Sequence, residues 1–231
     1  MEQNNIKPKK LNTMKKVEIT TAEINELTFD KILTQNGKMR KTSKENKIRL
    51  YNFGITAYKS HSTGRITCPF AKECIKFCYA SKGSYIWNNT KKAYERRYLL
   101  TQNTELFKTK LIASIKRRKA THVRIHDSGD FYNHTYIRDW FEIINTFPNV
   151  VFYAYTKSKK LFDPIKGLIP KNLILIYSLG SKTDNLIDMS FERHAKIFDS
   201  EEQLIKEGYI NASQNDLFAI GENPKIGLLI H

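Results

Sequence analysis

The sequence has few cysteines, no long apolar stretch and a shortage of acidic side chains. Its 231 residues include 3 Cys, 6 Pro and 10 Gly. No apolar run approaches the roughly 20 residues that a membrane-spanning helix needs, which excludes that class of protein. The amino-terminal segment holds no apolar leader, so we expect no secretory signal and a cytoplasmic protein. With 40% apolar and 27% charged residues, the composition excludes disordered, collagenous and coiled-coil chains and predicts one sizeable globular domain.

Basic residues outnumber acidic ones, and they do so unevenly. The chain carries 39 Lys/Arg and 23 Asp/Glu, a net charge of +16. Residues 51–120 hold 15 Lys/Arg and 3 Asp/Glu, whereas residues 121–231 hold 12 and 14. A field of this sign attracts polyanions, so we expect nucleic acid or a nucleotide as a partner. The excess of Lys (29) over Arg (10) leaves a compositional origin open, because recognition of phosphate geometry favours Arg.

The chain changes texture near residue 49. Residues 1–19 are polar and Lys-rich, which predicts a basic arm. Thr20 and Glu23 fit a capping box for a short helix to about Gln35, which Gly37 would end. From residue 49, apolar runs of strand length alternate with helical patterns. We therefore expect an amino-terminal arm and short helix over 1–48 and a single α/β core over 49–231.

The apolar runs predict a parallel sheet. VVFYAYT (150–156) and LILIYS (173–178) are apolar almost throughout, which is typical of strands buried on both faces. Other strands are expected at 50–56 and 123–126, with short candidates at 217–220 and 227–230. Helices are expected over roughly 90–118, after Asn133, from near Ser190 and from Ser200. A partial (β/α) barrel and an open doubly wound sheet both fit this alternation.

All three cysteines lie within eleven residues. Cys68, Cys74 and Cys78 have the spacing CX5CX3C, a poor framework for disulfides. Three thiolates converging from a loop suit a soft metal centre. Two versions stay open: a [4Fe–4S] cluster with one iron left to an external ligand, and a zinc ion with His61 or His126 as the fourth ligand. A cysteine nucleophile paired with His126 is a third interpretation.

A dense polar turn follows the strand at 123–126. It consists of His126, Asp127, Ser128, Gly129 and Asp130. Ligands of α/β folds bind outside the carboxyl ends of strands. We expect His126 and Asp127 to be catalytic, His126 as a metal ligand or proton shuttle, while Gly129 allows close backbone approach. The alternative is an ordinary turn, since Asp, Ser and Gly are common turn residues.

Two later strands also end in polar residues. Thr156 and Lys157 close the run FYAYTKS, and Tyr177 lies near the end of the next strand. Because parallel strands end at the same edge, we expect Thr156 and Tyr177 to line the pocket and Lys157 to be catalytic.

The order of these features resembles that of radical S-adenosylmethionine enzymes. There a three-cysteine loop follows the first barrel strand, an aromatic residue precedes the last cysteine, and the second strand ends in a glycine-containing acidic turn. Phe77 and the turn Ser128-Gly129-Asp130 occupy the matching positions. The resemblance implies a partial (β/α) barrel in which Phe77 and Tyr79 pack near the cofactor and Ser128, Gly129 and Asp130 hold its amino end.

A second resemblance covers most of residues 50–231. It rests on five segments: CPFAKECIKFCYAS, RIHDSGDFYNHTYIRDWFEI, FYAYTKS, SLGSKTDNLID and the closing KIGLLIH. Together they are similar to the phage gene-product-88 family. This resemblance implies a protein of a phage or mobile element and supports a metal site at the three cysteines.

These observations lead to two functional expectations. The first is an iron–sulfur enzyme of radical-SAM-like type, with a [4Fe–4S] cluster and S-adenosylmethionine, acting on a nucleotide or nucleic acid. The second is a nucleic-acid-binding module without catalysis, stabilised by zinc or a cluster. Neither involves a membrane.

Overall fold

The computed structural model describes residues 18–230, apart from the side chain of Phe77. Most of the predicted basic arm, residues 1–17, and His231 therefore lie outside the described residues.

Seven parallel strands form one curled sheet, an open half-barrel. The spatial order is β1-β2-β3-β4-β5-β7-β6. The strands are β1 (Leu50–Phe53), β2 (His122–Ile125), β3 (Val151–Thr156), β4 (Leu173–Ser178), β5 (His194–Phe198), β6 (Ile210–Asn211) and β7 (Lys225–Leu229). The predicted α/β class and partial barrel are confirmed at this level, and all carboxyl ends of the strands lie at one edge.

The described residues contain nine α-helices. They are α1 (Thr21–Asn25), α2 (Phe29–Ile32), α3 (Gly37–Glu45), α4 (Cys74–Phe77), α5 (Asn88–Leu100), α6 (Thr104–Arg118), α7 (His134–Asn145), α8 (Lys159–Phe162) and α9 (Glu201–Lys206). Short 3₁₀ turns cover Tyr79–Ser81, Gly83–Ile86, Asp163–Leu168, Asp184–Leu186 and Asp216–Ile220. None of the helices within residues 18–230 is long and apolar enough to cross a membrane.

Both faces of the sheet are covered, which explains the apolar runs of β3 and β4. On one side, here called the helix face, strand residues such as Phe53 and Phe152 pack against α5, α6 and α7. The opposite face carries Leu50, Tyr153 and Ile176 and is closed by α3 and the 3₁₀ turn Asp216–Ile220. Because strand side chains alternate between faces, β1, β3 and β4 each contribute to both cores.

Caps begin several helices where the sequence places them. The capping box of Thr20 and Glu23 is present at α1. Asn133 accepts a hydrogen bond from the backbone N–H of Tyr136 at the start of α7, and Ser200 caps α9 in the same way. These short-range predictions are confirmed because a cap depends only on neighbours along the chain.

Other local predictions are wrong. The helix expected from near Ser190 is instead β5, which pairs with β4 and β7; backbone pairing across the sheet overrides the helical spacing of its apolar residues. The strand expected at 217–220 is a 3₁₀ turn. Gly37 begins α3 rather than ending a helix, because Asn36 caps Met39 there. The helix expected from Thr20 to about Gln35 is divided into α1 and α2.

We expect Trp140→Ala to destabilise the protein by about 3–5 kcal/mol, the usual loss for a buried aromatic ring. Trp140 has no exposed surface and its ring contacts Phe53, Phe107 and Tyr136. Urea unfolding measures the change. Phe191→Ala is the matched control, because Phe191 is 85% exposed and its loss should stay within about 0.5 kcal/mol. Equal losses in the two variants would contradict this account of the core.

Candidate functional site

The segment carrying the cysteines lies across the carboxyl edge of the sheet. It leaves β1 and is joined to the β2 turn, where the backbone N–H of Asp130 donates to the carbonyl of Thr67, 3.2 Å away. It is joined to the chain beyond β4 where Lys182 donates from its backbone N–H to Phe70 and from its Nζ to Pro69. Cys68, Cys74 and Cys78 are thereby held over strand ends, and they form no disulfide with one another.

The thiols of Cys68 and Cys74 each lie within electrostatic reach of Cys78 and Asp130, and Cys74 also lies within reach of Lys157. Burial raises the pKa of Cys68, and the charges of Asp130 and Cys78 raise it further. Burial also raises the pKa of Cys74, where Lys157 acts in the lowering direction and Cys78 in the raising one. The structure thus brings the predicted cysteines together beside Asp130 and Lys157.

The thiols do not close around a single point. Within residues 18–230, no three His, Cys, Asp or Glu side chains are placed to hold one metal ion. The two predicted histidine ligands lie in different surroundings. His61 lines a cavity that Cys78 also lines, whereas His126 is buried among aromatic side chains.

His126 points into the helix face. It has a positive φ of 66°, and its Nε2 lies 2.9 Å from the hydroxyl of Tyr136. Phe131 and Trp140 also contact its ring. Burial lowers the pKa of His126 to about 3, so it is neutral at ordinary pH. The ring thus lies among aromatic side chains of the helix face, and its role as metal ligand or proton shuttle stays a prediction.

Asp127 is hydrogen-bonded to two tyrosines. Its Oδ2 accepts hydrogen bonds from Tyr94 at 2.6 Å and Tyr85 at 3.3 Å. Its Oδ1 is buried and has no partner among the described residues. Gly54 leaves the room for this carboxylate, because a Cβ there would overlap Oδ1. Asp127 therefore retains one free acceptor atom.

Asp130 joins the β2 turn to the end of β3. Its Oδ1 accepts from the Thr156 hydroxyl at 2.6 Å and the Phe131 N–H at 2.7 Å, and its Oδ2 accepts from the Lys157 N–H at 2.8 Å. Burial raises the pKa of Asp130, while these hydrogen bonds act in the opposite direction. Gly129 precedes it with a φ of +82°, and a Cβ there would overlap Ile55.

Lys157 and Tyr177 both lie at the carboxyl ends of neighbouring strands, but their side chains have different partners. The Nζ of Lys157 donates to the carbonyls of Ser178 and Leu179, which positions its charge near Cys74. Tyr177 instead contacts the ammonium of Lys159, 4.7 Å from its ring centroid. Burial raises the pKa of Tyr177 to about 12. Thr156 and Tyr177 are register partners at the ends of β3 and β4, and none of Thr156, Lys157 and Tyr177 is among the residues that line the cavity beside Cys78.

A cavity of about 890 Å³ adjoins the cysteine segment. Its walls include Cys78, Ser128, Tyr85, Tyr94 and residues 56–64. Tyr79 follows Cys78 and packs edge-on against Tyr85, 5.5 Å between ring centroids. Predicted site residues Ser128 and Tyr79 thus lie at or beside this cavity. The predicted contact of Phe77 with the cofactor concerns a side chain that lies outside the described residues.

The segment 56–64 is held by Glu95, which the sequence reasoning missed. The buried Glu95 carboxylate accepts hydrogen bonds from the hydroxyls of Thr56, Ser60 and Ser62 and from the backbone N–H groups of His61 and Ser62. One carboxylate thus shapes the cavity wall. The sequence signal is an acidic residue within an otherwise basic α5.

A second missed group lies on the opposite face of the sheet. Asp216 pairs with Lys38 at 3.0 Å and Arg124 at 3.3 Å, and the Arg124 guanidinium lies over the ring of Tyr155. Arg124 interrupts the apolar β2, a signal that was available. Nothing in the sequence joins it to Asp216, 92 positions later.

The chain is similar to phage proteins. The family model described as gene product 88 matches residues 29–229. The Gene 88 protein of Mycobacterium phage L5 is 31% identical over 123 residues, covering 48% of this chain and 52% of that protein. The Gene 88 protein of Mycobacterium phage D29 is 30% identical over 123 residues, covering 48% and 51%. The chain spans about half the length of these curated relatives. No solved structure matches it.

We expect Glu95→Gln to destabilise the protein by about 1–3 kcal/mol at neutral pH. The glutamine NH₂ group is a donor, and it would face hydroxyl and backbone N–H groups that also donate. Burial alone would raise the pKa of Glu95, but hydrogen bonds from Ser60, Ser62 and Thr56 hold it below its ordinary 4.5. The carboxylate's stabilisation is complete above that value and is lost as pH falls through the lowered pKa.

Urea unfolding of wild type and Glu95→Gln across pH measures this difference, which should shrink below about pH 4.5. Glu105→Gln is the control, since Glu105 is exposed and pairs only at the surface with Lys108. A difference between wild type and Glu95→Gln that does not vary with pH would show that the carboxylate charge is not responsible.

We expect Lys157→Gln to slow alkylation of Cys74 in metal-free protein. The Lys157 charge lowers the pKa of Cys74, so its removal leaves less thiolate at a given pH. Mass spectrometry of iodoacetamide-treated protein follows each cysteine separately. The exposed Lys160 supplies the control variant Lys160→Gln. If the alkylation rate of Cys74 has the same pH profile in Lys157→Gln as in wild type, the proposed influence of the Lys157 charge on Cys74 is wrong.

Proposed function

The chain belongs to the gene product 88 family of phage proteins, and we propose that it is an iron–sulfur enzyme of radical-SAM-like type acting on a nucleotide or nucleic acid. The observation that carries the proposal is the position of the cysteine segment, in which Cys68 and Cys74 each lie within electrostatic reach of Cys78 and Asp130, and Cys74 also of Lys157. They meet at the carboxyl edge of a parallel half-barrel, where α/β folds bind ligands.

Zinc and a [4Fe–4S] cluster make different demands on three thiols. Zn–S bonds are about 2.3 Å long, so a zinc site needs donors that close around one point. In a [4Fe–4S] cluster each cysteine binds a different iron, so the thiols stand further apart. Three cysteines would leave one iron free for an external ligand.

The cavity beside Cys78 suits S-adenosylmethionine as that ligand. A volume of about 890 Å³ lies within the range of small-molecule sites, about 300–1,000 Å³. Asp130 already accepts three hydrogen bonds, so it positions the turn rather than serving as the main acceptor. Cluster and cofactor together would supply one-electron chemistry.

This chain's own residues would shape the site. Lys157 sets the charge beside Cys74, and Glu95 holds the wall formed by residues 56–64. The second candidate function, a cluster- or zinc-stabilised nucleic-acid-binding module without catalysis, is favoured by the positive charge around the cysteines. The two candidates differ in whether S-adenosylmethionine is cleaved.

We expect anaerobically purified protein to contain about four iron and four sulfide per chain, and Cys74→Ala to lose them. Iron and sulfide analysis, together with an absorbance band bleached by dithionite, provides the measurement. Ile75→Ala is the control, because Ile75 adjoins Cys74 and is exposed. Circular dichroism verifies that both variants fold.

Full iron content in folded Cys74→Ala would contradict the proposal that Cys74 binds a cluster. One zinc and no iron in the wild type would favour the binding module. If iron is present, reductive cleavage of added S-adenosylmethionine would favour the enzyme over the binding module.

A further inference from the structure

Large side chains are exposed around the mouth of the cavity. We call the group Tyr58, Tyr79, Ile86 and Trp87 the rim patch. Trp87 is 66% exposed, Tyr79 and Ile86 are each 51% exposed, and Tyr58 is 40% exposed. Tyr58 and Ile86 line the cavity itself. Exposed apolar residues scattered singly are ordinary, but a group of them beside a cavity marks a binding surface.

The rim patch is supported from below. The Tyr79 ring packs edge-on against Tyr85, and Tyr85 packs against Tyr94 at 5.4 Å. Tyr94 in turn donates its hydroxyl to Asp127. Tyr79 is therefore an aromatic surface supported by two half-buried tyrosines, which reduces the entropy that a ligand must remove on stacking against it.

The chain around the rim patch is strongly basic. Residues 56–92 carry seven Lys/Arg and one Asp/Glu, a net charge of +6. The one acidic residue in this segment is Glu73, which pairs with Lys76 at 3.2 Å. Among the described residues, the other six cations of this segment form no salt bridge. Their charge is available to an anionic partner.

We propose that the rim patch binds single-stranded nucleic acid, with bases stacked on Tyr79 and Trp87 and phosphates against the surrounding lysines. The inference deepens the proposed function by naming its substrate class. Aromatic rings combined with unpaired cations are the device by which proteins bind unpaired strands. The bases of a duplex are already stacked on one another and would not reach these rings. The cations are mostly Lys rather than Arg, so they would contact phosphates as point charges rather than as bidentate partners.

The chain carries its own reporter for this binding. It has two tryptophans: Trp87 is 66% exposed and Trp140 is fully buried. We expect an oligothymidylate of roughly 10 nucleotides to quench the fluorescence of Trp87. Trp87→Phe keeps a stacking ring and should keep near-wild-type affinity, measured by anisotropy of a labelled oligonucleotide. Trp87→Ala should weaken binding roughly tenfold.

Matched controls lie at the other edge of the sheet. Phe191→Ala removes an aromatic side chain that is 85% exposed and precedes β5, and it should leave affinity unchanged.

Lys82→Gln should reduce the slope of log affinity against log salt by about 0.7. Lys171→Gln, at an exposed lysine before β4, should not change that slope.

Absence of quenching, equal weakening by Trp87→Ala and Phe191→Ala, or equal competition by duplex DNA would each overturn the inference. These results are separable from the proposed function, because iron content and S-adenosylmethionine cleavage are measured without the oligonucleotide. A protein that binds the strand at Trp87 but holds no iron would retain the inference and lose the enzyme.

Discussion

The Asp130 carboxylate is the interaction on which the site depends. Its oxygens accept hydrogen bonds from Phe131 in its own turn and from Thr156 and Lys157 at the end of β3. Its backbone N–H reaches Thr67, immediately before Cys68. One residue therefore joins two strand ends to the cysteine segment. A buried carboxylate is costly unless its acceptor sites are filled, and here the filling groups are those whose positions matter for the thiols.

That arrangement also sets the electrostatics of the cysteines. Asp130 lies close enough to raise the pKa of Cys68 and Cys74, whereas Lys157 lowers that of Cys74. Burial raises both further, so the thiols are protonated in the metal-free protein. Thiolates form at a low cost only when a cation compensates their charge. A metal centre would provide that compensation for all three cysteines, which a single lysine cannot.

Sequence reasoning succeeded where the deciding contacts are short-range or repeated. The buried strands β3 and β4 and the helix cap at Asn133 were predictable, because apolar runs and caps depend on neighbouring residues. It failed at β5, where pairing with β4 and β7 decides the conformation. The orientation of His126 was also beyond it, since the positive φ that turns the ring toward the helix face depends on the packing of Phe131 and Trp140.

Glu95 explains how a basic surface coexists with an ordered cavity wall. A carboxylate surrounded by lysines would ordinarily pair with them and neutralise part of the surface. Here hydroxyl and backbone donors of residues 56–62 fill its acceptor sites instead. Within the described structure, the six other Lys/Arg side chains between residues 56 and 92 are left without an acidic partner while Glu73 is paired with Lys76. The wall is rigid because an anion is buried in it, and the surface stays positive because that anion is satisfied by neutral donors. The same carboxylate therefore contributes to both the shape of the cavity and the charge at its mouth.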